Sequence, residues 1–97
     1  MTKISELRDG MRKVNIEATI VDKGRVREVM TYRGPARVAN FTIKDDSGTI
    51  SLTLWNDDID RVEVGDRIRI ENGYVTSFRG RLQLNVGRYG RLIVQEE

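Results

Sequence analysis

The chain has 97 residues, with 17 Lys and Arg against 15 Asp and Glu, and it contains neither His nor Cys. That length suits one domain, residues 1–97, with one modest core, while the missing His and Cys exclude disulfides, thiolate zinc sites and Ser-His-Asp or Cys-His catalysis, so that no catalytic, metal or cofactor site is expected. No apolar run approaches the ~20 residues of a membrane span, no glycine-rich phosphate loop precedes a Lys-Ser/Thr pair, and Met1 to Met11 is charged without an apolar signal core, which predicts a cytoplasmic protein with no membrane partner.

In chain order, Ile4 to Leu7 predicts one helical turn before Asp9-Gly10. Val14, Ile16, Ala18 and Ile20 alternate with Asn15, Glu17 and Thr19, the period-two pattern of a strand with one buried face. Gly24 breaks the alternation, as a bulge would in a long strand that bends across two sheets. Arg33-Gly34-Pro35 then marks a loop. Ala39, Phe41 and Ile43 alternate with Asn40, Thr42 and Lys44 in a second strand. Ile50, Leu52 and Leu54 alternate with Ser51, Thr53 and Trp55 in a third. Asp45-Asp46-Ser47-Gly48 between them predicts a tight hairpin turn.

Asn56 is placed to cap a short helix with Asp57 and Asp58 in its first turn and Ile59 and Val62 on one face. After a Gly65-Asp66 turn, Ile68 and Ile70 define a fourth strand, and Gly73 predicts a second bulge. Residues Thr76 to Arg81 predict a loop with Arg79-Gly80 at its tip. Leu82, Leu84 and Val86, alternating with Arg81, Gln83 and Asn85, define a fifth strand. The predicted fold class is all-β: a five-stranded Greek-key OB-fold barrel with a short helix between strands three and four, its closure protecting the strand edges.

The charge is unevenly placed. Gly24 to Lys44 holds five basic residues and one acidic; Asp45 to Asp66 holds seven acidic and one basic; Arg67 to Arg91 holds six Arg and one acidic residue. Arg is the residue that forks onto phosphate and stacks on bases. The acidic residues Asp57, Asp58, Asp60 and Glu63 lack the frame of a calcium loop and read as a solvated helix. The basic blocks instead border the loops that flank an OB groove.

Trp55 shares the outward phase of Ser51 and Thr53, so it faces water if Leu52 and Leu54 face the core. Phe78 lies between strands beside Arg79 and Arg81, and Tyr74 follows Gly73. Together they predict an aromatic platform on which bases stack. Arg81, Gln83 and Asn85 offer forked donors and amides on the same face. Asn40 and Thr42 take the same part on the second strand, with Arg33 and Arg37 beside the first loop.

The ordered motifs Ser51-Leu52-Thr53-Leu54-Trp55, Gly65-Asp66-Arg67-Ile68-Arg69-Ile70-Glu71-Asn72-Gly73-Tyr74 and Phe78-Arg79-Gly80-Arg81-Leu82-Gln83-Leu84-Asn85-Val86-Gly87 resemble the simple, single-OB single-stranded DNA-binding proteins of archaea. They also resemble the OB-fold component of the human SOSS complex. The resemblance runs from Ile4 to about Arg88. It implies single-stranded DNA stacked on Trp55, Tyr74 and Phe78, with backbone contacts from Arg33, Arg79 and Arg88. Eukaryotic members carry a further aromatic where Asn85 stands. The expected function is sequence-tolerant single-stranded DNA binding by a monomer, without catalysis, in replication, recombination or repair and alongside proteins of those processes. The alternatives are an RNA-binding OB module of the anticodon-reader type and an OB fold that serves as a protein-interaction subunit.

Overall fold

In the computed structural model, which describes residues 1–95, the period-two segments form six strands. Residues 96–97 of the expected 1–97 domain lie outside the described residues. The strands are β1 (Val14–Lys23), β2 (Arg27–Thr31), β3 (Gly34–Asp45), β4 (Gly48–Trp55), β5 (Arg67–Phe78) and β6 (Arg81–Gln95). A single 3-10 turn (Ile4–Glu6) precedes β1, and the one-turn helix α1 (Asp57–Asp60) follows β4. The sheet runs β1-β5-β6-β4-β3-β2, and a further β1–β3 pairing closes it into a barrel. All pairings are antiparallel except β4–β6. Among the described residues no helix is long and apolar enough to cross a membrane.

The six strands are the five of the OB barrel, with the first divided. β1 pairs with the later half of β3 and β2 with its earlier half, so β1 and β2 are two arms of one bent strand. Gly24 lies at the break. Its N–H donates to the Asn40 carbonyl oxygen at 2.8 Å, and a Cβ there would stand 2.2 Å from that oxygen. Only glycine admits so close a backbone approach.

The inward phases of β1, β3, β4, β5 and β6 fill the core, while no residue of β2 is buried. Ile16, Ile20, Phe41, Ile43, Leu52, Leu54, Ile68, Ile70 and Leu84 are all buried. Ile4 and Leu7 join them from the N-terminal turn, and Ile59 and Val62 from the segment after β4. Asp45 ties the N-terminus down. Its Oδ1 accepts from Ser47 N–H (2.7 Å), Ser47 Oγ and Gly48 N–H, while its Oδ2 accepts from Ile4 N–H at 2.9 Å.

Three local expectations are corrected. The loop placed at Thr76 to Arg81 is strand almost throughout: β5 continues to Phe78, in register with Arg81, leaving Arg79-Gly80 as the whole turn. Both turn residues have positive φ, as the type I′ two-residue hairpin turn requires. Gly34 and Pro35, expected in a loop, begin β3, and the turn is Tyr32-Arg33. Asn56 does not cap α1 through its side chain; its Oδ1 accepts from Arg37 N–H at 3.0 Å, fastening α1 to β3.

Candidate nucleic-acid interface

Strand alternation and register place the outward residues of β5, β6, β4 and β3 side by side. Tyr74 pairs with Asn85, Thr76 with Gln83 and Phe78 with Arg81 across β5–β6. Gln83 and Asn85 lie opposite Ser51 and Thr53 of β4. Thr53 then pairs with Asn40, and Trp55 with Val38, across β4–β3. A groove of about 380 Å³ crosses this face, lined by Asn40, Thr53, Trp55, Phe78, Gln83 and Asn85, with Arg27, Val29 and Val38 on the β2 side.

The aromatic members are accessible. Trp55 is 43% exposed and Phe78 59%, although Leu52 and Leu54 on the other face of β4 are sealed in the core. Trp55 and Phe78 stand on β4 and β5, the two strands that flank β6. Arg79 places its guanidinium 5.2 Å from the Phe78 ring centroid, within cation–π range.

Between them the groove is polar and internally ordered. Asn40 Nδ2 donates to Thr53 Oγ1 (3.0 Å) and Ser51 Oγ (3.2 Å), and Asn40 Oδ1 accepts from Arg27 Nη2 at 3.2 Å. Asn85 Nδ2 donates to Thr76 Oγ1 at 3.0 Å. These bonds hold the amides and hydroxyls in place and leave amide oxygen lone pairs and hydroxyl hydrogens free to bond a ligand.

The remaining candidates fall at the margins or elsewhere. Arg81 shares the face of Gln83 and Asn85 at the exposed start of β6. Arg33 sits in the β2–β3 turn, its guanidinium 5.4 Å from the Tyr32 ring. Tyr74 and Arg88 line an adjoining cavity. Arg37 is not brought into the groove. It shares the phase of Ala39 and Phe41, so it leaves β3 on the opposite side and forks onto Asp60, with Nη2 2.8 Å from Oδ2. That hydrogen bond holds the Asp60 carboxyl below its ordinary pKa and raises that of Arg37.

Sequence reasoning misses Arg27, which lies in the basic block and reaches Asn40 only once β2 and β3 pair. It also misses two exposed tyrosines, Tyr32 and Tyr89, each next to an arginine. The adjacent pairs Tyr32-Arg33, Phe78-Arg79 and Arg88-Tyr89 form a signal open to sequence inspection.

A family model described as an OB-fold nucleic acid binding domain matches residues 14–92. The single-stranded DNA binding protein Ssb of Saccharolobus solfataricus is 29% identical over 85 residues, covering 88% of this chain and 57% of that protein. Replication factor A of Methanothermobacter thermautotrophicus is 26% identical over 94 residues, 96% of this chain and 12% of that protein. The chain thus spans just over half of one curated relative and about an eighth of the other. Among solved structures, the second OB-fold domain of replication protein A from Methanococcus maripaludis superposes with a TM-score of 0.80 at 30% identity, covering 99% of this chain and 95% of that one.

Proposed function

The chain belongs to the OB-fold nucleic acid binding domain family, and from that premise we propose that it binds single-stranded DNA with little sequence preference, by base stacking and arginine–phosphate contacts, and does so without catalysis. The observation that carries this reading is the placement of Trp55 and Phe78 on the two strands flanking β6, over a groove of ordered amides and hydroxyls. Every base has a π-face, so stacking gives affinity without selecting sequence. Arg27, Arg33, Arg79 and Arg81 supply the positive track beside it, while the acidic residues of α1 face Arg37 and Arg61 instead. The likeness to archaeal single-stranded DNA-binding and replication factor A proteins supports a role in replication, recombination or repair. The likeness to the SOSS component rests on the sequence motifs alone.

The test uses the single Trp. Titration with oligo-dT should change Trp55 fluorescence saturably, with an affinity that falls as salt rises by about 0.7 in slope for each phosphate contacted. An affinity indifferent to salt would overturn the reading in favour of a protein-docking face. Competition by a matched oligo-U decides between DNA and RNA, since only contacts to the 2′-OH distinguish them.

A further inference from the structure

Opposite the single bulged residue Asn72, β6 throws out four residues, Gly87-Arg88-Tyr89-Gly90, because Val86 pairs with Gly73 and Arg91 with Glu71. Glycine is required at the far foot of this arch. A Cβ on Gly90 would stand 2.9 Å from the Asn72 carbonyl oxygen and 3.0 Å from that of Glu71. At the near foot, Gly87 lies against the Tyr74 ring, and a Cβ there would come within 3.4 Å of Tyr74 Cδ1. The arch is braced: Asn72 N–H donates to Asn15 Oδ1 at 3.1 Å, and Asn72 Nδ2 donates to the Tyr89 carbonyl at 3.4 Å.

Arg88 and Tyr89 stand out between the two glycines. Tyr89 is 79% exposed, and the Arg88 guanidinium lies 5.6 Å from its ring centroid. With Tyr74, Asn72, Arg12 and Lys13 they wall a cavity of about 460 Å³. Among the described residues no carboxylate lines it. Among the same residues none of Arg12, Lys13 and Arg88 enters an ion pair, whereas Lys3, Arg37, Arg61, Arg67 and Arg69 all do. Three uncompensated cations around two phenol rings suit a ligand that is both planar and anionic. Tyr74 connects this cavity to the groove, since it also heads the outward row Tyr74, Thr76, Phe78 of β5.

We propose that the cavity under the Gly87–Gly90 arch is a second, contiguous subsite for the DNA strand. A nucleotide leaving the groove past Tyr74 stacks its base on Tyr89, and Arg12, Lys13 and Arg88 take the adjoining phosphates. This rests on the reading of the groove as a single-stranded DNA surface.

The test compares oligo-dT at the short and long ends of the ~4–16 nucleotides that one OB fold occupies. Tyr89→Ala should weaken the long oligomer by roughly five-fold or more, the low end of what a stacked base contributes, and leave the short one unchanged. Tyr89→Phe should restore the long-oligomer affinity. The double variant Arg12→Gln, Lys13→Gln should lower the salt slope on the long oligomer only, by about 0.7 per lost phosphate contact. Unchanged affinity of Tyr89→Ala at both lengths overturns the subsite, and so does equal weakening at both. Trp55→Ala should weaken both lengths, which separates the two sites. A wild-type protein that binds neither length overturns the groove reading and the subsite with it.

Discussion

Arg37 and Asp60 close a two-bond fork, Nη2 to Oδ2 at 2.8 Å and Nη1 to Oδ1 at 3.3 Å, on the side of β3 away from Asn40. The fork explains how one basic block serves two purposes. Arg27, on the neighbouring strand β2, bonds Asn40 in the groove, while Arg37 neutralises the acidic helix. Arg37→Ala should therefore leave the salt slope of DNA binding unchanged, and Arg79→Ala should lower it by about 0.7. Fluorescence titrations at several salt concentrations check both. A slope lowered equally by the two substitutions would mean that the cations act as a diffuse field.

Arg61 extends the same argument to stability. Its Nη2 donates to the Leu92 carbonyl at 2.7 Å and its Nη1 to Asp58 Oδ1 at 3.2 Å, tying α1 to β6. Arg61→Ala should leave DNA affinity intact and lower the thermal midpoint. A charge-assisted hydrogen bond of this kind contributes about 1.5–3 kcal/mol, at the lower end for so accessible a side chain. An unchanged midpoint in a thermal melt would remove Arg61 from the scaffold.

Trp55→Ala and Phe78→Ala should each weaken DNA binding by ~1–3 kcal/mol with little change in folding. Both rings are substantially exposed, so their removal opens no core cavity. Measured by circular-dichroism melts and by anisotropy with labelled oligo-dT, loss of folding in Trp55→Ala with normal binding by the folded fraction would make Trp55 a core residue.

Strand alternation makes much of this legible. Phase alone sends Leu52 and Trp55 to opposite faces, and the structure buries one and exposes the other. Gly24 is readable as a bend because a glycine inside an alternating strand has few other reasons to be there. Arg37 is not readable, since phase says which way a side chain leaves a strand only when the strand's bounds are known. A loop expected at Arg33-Gly34-Pro35 hides that Arg37 continues the core-facing phase of Ala39 beyond the edge of the core. The second half of β6 escapes for a related reason: Gly87 and Gly90 interrupt the pattern, and Leu92 and Val94 resume it only after the arch.

Leu52→Ala and Leu84→Ala probe the opposite face. The two are adjacent in the parallel β4–β6 pairing and completely buried. Each truncation should cost ~2–5 kcal/mol through lost burial and the cavity left behind. Urea unfolding checks this. Full stability of Leu52→Ala would show that the strand is turned over, because a one-residue slip exchanges its faces.

Burial pushes the Asp45 carboxyl up, but hydrogen bonds from the Ser47 hydroxyl and from the backbone N–H groups of Ile4, Ser47 and Gly48 outweigh it and hold the pKa below the ordinary value. Those bonds favour the charged form, so the folded state binds the proton less tightly than the unfolded chain, where an Asp titrates at about 3.9. The stabilisation is therefore complete above that pKa and is lost as the pH falls through the lowered folded value. Asp45→Asn keeps the shape of the side chain and removes the charge. It should be less stable than wild type at neutral pH, and the difference should shrink as the pH falls below about 4. Because Asp45 holds both the β3–β4 turn and the Ile4 N–H, the loss should appear first as faster amide exchange at Ile4 and Ser47. Hydrogen exchange and urea unfolding at several pH values measure the two effects. A stability gap that is constant with pH would show that the Asp45 charge plays no part in fastening the N-terminal turn to the barrel.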